Sequence, residues 1–141
     1  MKLLGNQQTK LEFTLFAWTA LNVGVGVWVL LNAPLEIYGS RLAAFLPVAI
    51  GIPAAGFLLW RLLKPTQVVL AFGALFWALQ IVTVRLPEAL YEFRLGLSID
   101  YRLTDDPNCV ASINLLAVIV TALFITATVR HSEEELLAAT Q

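Results

Sequence analysis

The sequence predicts an all-α membrane protein: four transmembrane helices packed as one bundle, with an ordered extracytoplasmic loop between the third and the fourth. Three observations carry this expectation. Hydrophobic residues make up 59% of the 141 residues and charged ones 13%, against about 45–50% and 25% in soluble domains. The apolar residues gather in four runs of membrane-spanning length, each bracketed by charge. Between the last two runs lies the one long polar break, 86–109, in which every odd residue from Tyr91 to Leu103 is apolar and every even one is polar or glycine.

The length is that of a single domain. A net charge of −1 gives no footing for nucleic acid. The single cysteine, Cys109, cannot close an intrachain disulfide, and with His131 as the only histidine there is no Cys/His spacing for a metal. No metal and no cofactor are expected.

Residues 1–10 carry Lys2 and Lys10 and resemble the leading part of a signal peptide. The apolar stretch behind them, 11–31, has 21 residues and no clear small-x-small cleavage site, so it reads as a retained first span, about 30 Å long. The second span is expected over 42–60, the third over 68–84 and the fourth over 107–130. Asp106-Pro107 supplies the start of the fourth, an N-cap acceptor followed by proline at the first helical position. Lys2, Lys10, Arg61, Lys64 and Arg130 fall on one side, against Arg41, Arg85, Arg94 and Arg102 on the other. Weighting the tight Arg61–Lys64 turn above the long loop places both termini in the cytoplasm and the 86–106 loop outside.

Pro47, Gly51 and Pro53 interrupt the second span and predict a bend there, either packed or lining a substrate site. Small residues recur four apart on every span: Ala20 and Gly24, Gly51 and Ala55, Ala74 and Ala78, Ala117 and Thr121. Such pairs let helices approach closely in lipid. No charged residue falls near the middle of a span. The polar candidates are Asn22, Gln80, Thr83, Asn114 and Thr121, and helix rise places the first four in the outer half of the bundle. Trp18 and Trp77 lie too deep for interfacial anchors. Together these seven form either a ligand site or a set of interhelical hydrogen bonds. Trp28, Trp60 and Tyr38 stand at span ends, where aromatic anchors belong.

The outer loop admits two structures. Pro87, Glu88 and apolar Leu86, Leu90, Phe93 and Leu97, stopped by Gly96, describe a short surface helix. Alternatively the alternation folds back about Leu97 as a hairpin, setting Glu92 against Arg102, Arg94 against Asp100 and Phe93 against Tyr101. The same self-complementary charges would serve two copies of the strand across a twofold axis. Asp100, Asp105 and Asp106 lack an EF-hand pattern and read as caps and solvated charges. Near the C-terminus, Ser132 and Glu135 match a capping box.

No acid, base or nucleophile lies near the middle of a span, so catalysis has little support. The expected role is a non-enzymatic one by assembly, as an accessory or self-associating subunit that meets the lipid bilayer and either copies of itself or other membrane subunits. The alternative is a small oligomeric transporter or channel using the polar patch. The loop residues Glu92, Arg94, Asp100, Tyr101 and Arg102 are the expected contacts.

Overall fold

The computed structural model describes residues 2–3, 6–7, 9–32, 42–85, 90–91, 93, 95–104, 106 and 109–140. Two short strands, β1 (Lys2–Leu3) and β2 (Asn6–Gln7), pair antiparallel ahead of the first helix. That helix, α1 (Lys10–Asn32), opens on a reciprocal cap. The Glu12 N–H donates to Thr9 Oγ1 at 3.2 Å, and the Thr9 N–H donates to Glu12 Oε2 at 2.8 Å. Thr9-x-x-Glu12 is thus a capping box, a signal that the sequence reading passed over. Replacing Thr9 by alanine is expected to lower stability by about 1 kcal/mol, read by thermal unfolding in detergent micelles.

The remaining elements are α2 (Leu42–Arg61), α3 (Gln67–Ala78), β3 (Val82–Arg85), β4 (Leu90–Tyr91), β5 (Asp100–Arg102), β6 (Val110–Asn114) and α4 (Leu115–Ala139). The described residues are mostly helical, with four helices among them. Two stretches, Lys10–Trp28 and Leu115–Glu133, are long and apolar enough to cross a membrane by length and composition, while Ile50–Arg61 and Gln67–Ala78 are shorter apolar helices. α2 runs through Pro47, Gly51 and Pro53 without interruption. α4 continues past Ser132 and Glu135 to Ala139, so no separate helix starts at that box.

Helices α3 and α4 pack most closely, and Gly73 is the reason. A Cβ there would collide with the ring of Phe124, which is fully buried. Leu58, Leu62, Leu70, Trp77 and Ala117 complete the centre of the core. At the far end His131 Nε2 lies 3.2 Å from the Pro65 carbonyl, joining α4 to the turn between α2 and α3.

The expected secondary structure needs three corrections. α3 ends at Ala78 rather than near 84, because Ile81-Val82-Thr83-Val84 is a run of β-branched residues, stiff at χ1 and suited to a strand. α4 begins at Leu115 and not at 107, since Val110–Asn114 is strand β6 and the helix takes its cap from Asn114. The hairpin about Leu97 does not form. Tyr101 stands opposite Ile113, not Phe93, in a four-stranded antiparallel sheet of order β4-β3-β6-β5. The loop is therefore ordered as strand, but its partners come from stretches assigned to the third and fourth spans. Nor does a surface helix run through this loop, since Leu90–Tyr91 is strand β4, paired with Arg85 and Val84; Pro87, Glu88, Glu92, Arg94, Asp105 and Pro107, like Tyr38, fall outside the described residues.

The sheet's polarity is inverted. Thr83, Ser112 and Asn114, which share one face, are all buried. On the opposite face Val82, Tyr101 and Leu103 are exposed and Val84, Ala111 and Ile113 are half-buried. Over β3 and β6 the polar face thus turns inward and the apolar face outward, while at the β5 edge Asp100 and Arg102, opposite Asn114 and Ser112 on the polar face, are exposed.

Candidate functional site

The inward face of the sheet meets the helices at a strap, residues 95–99. Its three odd-numbered residues each lose their backbone N–H to a different side-chain amide. The Leu95 N–H donates to Gln80 Oε1 at 2.9 Å, the Leu97 N–H to Asn22 Oδ1 at 2.8 Å, and the Ile99 N–H to Asn114 Oδ1 at 3.4 Å. The strap is not regular strand, since it bends at Gly96, and its three donors are caught by three separate side-chain amides. Asn22 comes from α1, Gln80 from the turn after α3, and Asn114 from the end of β6. The strap thus ties three parts of the bundle together.

Each amide is itself held. Asn22 Nδ2 donates to the Trp18 carbonyl at 2.9 Å, which fixes which end of the amide faces the strap. Asn114 Oδ1 also accepts from the Ala117 N–H at 3.2 Å and so serves as the N-cap of α4. Its own N–H donates to the Ile81 carbonyl at 2.7 Å, and the Leu115 N–H donates to the Ile99 carbonyl at 2.8 Å.

Glycines and one leucine seat the strap. Gly96 has φ 76°, in the left-handed region that favours glycine, and a Cβ there would collide with Asn22. Leu95 is buried at 4% exposure, its side chain against Gly26 of α1, where an added Cβ would come within 2.8 Å of it. Phe93 packs against Gly51 of α2 and lies 5.6 Å from Phe76, edge to face. Gly96, expected as a helix stop, instead seats the strap on Asn22, while the packing roles of Gly26 and Gly73 carry no signal in the sequence. The i, i+4 search that found Ala20/Gly24 and Ala74/Ala78 could not see them.

The seven candidate residues are all withdrawn from the surface, wholly or in part. Asn22, Gln80, Thr83, Asn114, Thr121 and Trp77 are buried, and Trp18 is half-buried. The Trp18 and Trp77 rings stand 6.4 Å apart, tilted by 45°. Three of the polar side chains bond the strap's backbone and not one another across helices. Of the candidate loop residues, Asp100, Tyr101 and Arg102 form β5 and are exposed. Ser98 Oγ donates to Asp100 Oδ2 at 3.2 Å. Trp28 and Trp60 are exposed near helix ends, with the Arg61 guanidinium 5.9 Å from the Trp60 ring centre.

Among the described residues no cluster of three or more His, Cys, Asp or Glu side chains is placed to hold a metal. A groove of about 220 Å³ between α2 and α3 is lined by Phe57, Leu58, Val68, Val69 and Phe72, with Arg61 the one charged group on it. A second groove runs along α1, over Ala20, Leu21, Gly24, Val25 and Trp28, and Gly24 has open space around it. Comparison with family models, with curated proteins and with solved structures finds no match to this chain.

Proposed function

We propose that this chain is a multi-pass membrane protein, with both termini cytoplasmic, that works without catalysis by assembling with other membrane subunits through its β-sheet. The inverted sheet carries the reading. β5 borders it, and the hydrogen-bonded positions of the β5–β6 ladder fall on odd residues, as in the Leu103 N–H donated to the Ala111 carbonyl at 2.8 Å. The backbone groups of Arg102 therefore point away from the sheet. Within hydrocarbon such an edge needs a protein partner, because lipid offers no hydrogen bonds. Outside it, the exposed face of Val82, Ile99, Tyr101 and Leu103 needs cover from water. At either depth the sheet calls for another chain.

Two further features support assembly. α3 has 12 residues, about 18 Å, too short to cross the hydrocarbon alone, so the four-span reading has the third crossing completed by strand. The open small-residue face of Ala20 and Gly24 on α1 is shaped for a second helix. A transport path lined by Asn22, Gln80 and Asn114 has less support, since their amide oxygens are bonded to the strap.

The size of the complex extracted in mild detergent tests this. The wild-type chain should migrate as part of an assembly, and Tyr101→Asp with Leu103→Asp should release it while its unfolding midpoint shifts by no more than about 0.5 kcal/mol, as for exposed positions. A wild-type chain that runs alone in mild detergent and in nanodiscs would end the proposal.

A further inference from the structure

The oxygens of Asn22, Gln80 and Asn114 are all used, while four neighbouring donors are not. The indole N–H groups of Trp18 and Trp77, the Nε2 amide of Gln80 and the Thr121 hydroxyl are buried without a hydrogen-bond partner among the described residues. Trp77 is 0% exposed, Gln80 1% and Thr121 9%. Trp18 lies on α1, Trp77 on α3 with Gln80 just past its end, and Thr121 on α4. Trp18 and Trp77 are ring neighbours, and the backbone N–H of Gln80 donates to the Trp77 carbonyl at 3.0 Å, one turn on. Gly73 against Phe124 and Val82 opposite Ile113 set the level of α3 beside α4, which puts Thr121 near the level of Trp77.

Thr121 is also the exception among the described helical threonines. Thr14, Thr19, Thr126 and Thr128 each turn the hydroxyl back onto the carbonyl four residues earlier, at 2.8–2.9 Å. That bond is open to any helical threonine. Thr121 does not make it. Burying four polar groups unmatched is costly, and together they ask for an acceptor.

We propose that Trp18, Trp77, Gln80 and Thr121 bind the carbonyl oxygens of a neutral, apolar molecule. All four groups donate, and a carbonyl accepts without bringing a hydrogen of its own. A water would add two protons where the nearby amide oxygens are already bonded. An anion would lie buried with no cation among these groups, which low dielectric penalises. The two indole rings supply the flat apolar walls that a conjugated or acyl carbonyl compound would pack against. Two sources carry this chemistry in a bilayer: a quinone and an acyl ester.

Indole fluorescence of the full-length chain tests the site. Trp28 and Trp60 are exposed, so Trp28→Phe with Trp60→Phe leaves Trp18 and Trp77 as the only reporters among the four tryptophans. The chain in detergent micelles is titrated with decylubiquinone and, separately, with a diacylglycerol whose acyl chains are brominated, both of which quench indole. Saturable quenching by either probe is expected, and which one saturates identifies the source. Thr121→Val, which keeps the shape and removes only the hydroxyl, should weaken the apparent affinity about five-fold, and Thr121→Ser should restore it. An unchanged unfolding temperature in Thr121→Val separates lost binding from lost folding. Quenching that rises linearly with both probes and is the same in Thr121→Val overturns the site.

Discussion

Replacing Gly96 by valine is expected to detach the strap from the helices and to lower stability by about 2–6 kcal/mol. Two independent costs add. A β-branched residue at φ 76° occupies a region that non-glycine residues enter at about 1–3 kcal/mol. The new side chain also meets Asn22, whose backbone and amide both lie where a Cβ would be. Relief of that collision requires Asn22 to move, which breaks its bond to the Leu97 N–H and leaves one or both groups buried and unmatched, at about 1–3 kcal/mol. Gly96→Ala should show the same effect at smaller size. Unfolding by sodium dodecyl sulfate reads the loss, and amide exchange locates it: Leu95, Leu97 and Ile99 should lose protection together, while the α3–α4 contact at Gly73 and Phe124 stays protected. Uniform loss of protection, or a midpoint within 1 kcal/mol of wild type by the same measure, would show that the strap is not held as described.

How much of this was legible in the sequence depends on which physical signal each residue carries. The helices announced themselves by runs of apolar residues, and the polar cluster was found because Asn22, Gln80 and Asn114 are conspicuous in such runs. The strap was half legible. Its period-2 alternation is real and reports extended backbone, but alternation fixes the conformation of a strand and not its partner. With 82–84 and 110–114 read as parts of spans on apolarity, the loop has only itself to pair with. Apolarity cannot separate a buried strand from a helix; the β-branched run Ile81-Val82-Thr83-Val84 could have done so. The cap was misplaced for a related reason. Asp106-Pro107 and Asn114 are both good starts, and the choice between them rests on whether Val110 to Ile113 joins a sheet, which only the β3 and β5 ladders decide. The glycines were illegible in principle, because what Gly73 and Gly96 accommodate lies 51 and 74 residues away, at Phe124 and Asn22.

Asn114 is where the two halves of the structure meet, and its substitution separates their energies. Asn114→Ala removes one oxygen with two duties. The Ala117 N–H loses its cap, at about 1 kcal/mol, and the Ile99 N–H loses its acceptor, at about 1–3 kcal/mol because it is part-buried. The expected total is about 2–4 kcal/mol in unfolding free energy. Two further variants apportion it. Asn114→Asp keeps an oxygen at the same reach and should recover most of both terms, since the helix N-terminus favours a negative charge. Asn114→Ser still caps but is one bond shorter, so it should recover the Ala117 bond and not the bond to Ile99 at 3.4 Å. The gap between Asp and Ser then measures what the strap contributes, and exchange at the Ile99 amide should follow that gap. If alanine, serine and aspartate all behave alike, Asn114 neither caps α4 nor holds the strap, and the third amide of the clamp is lost.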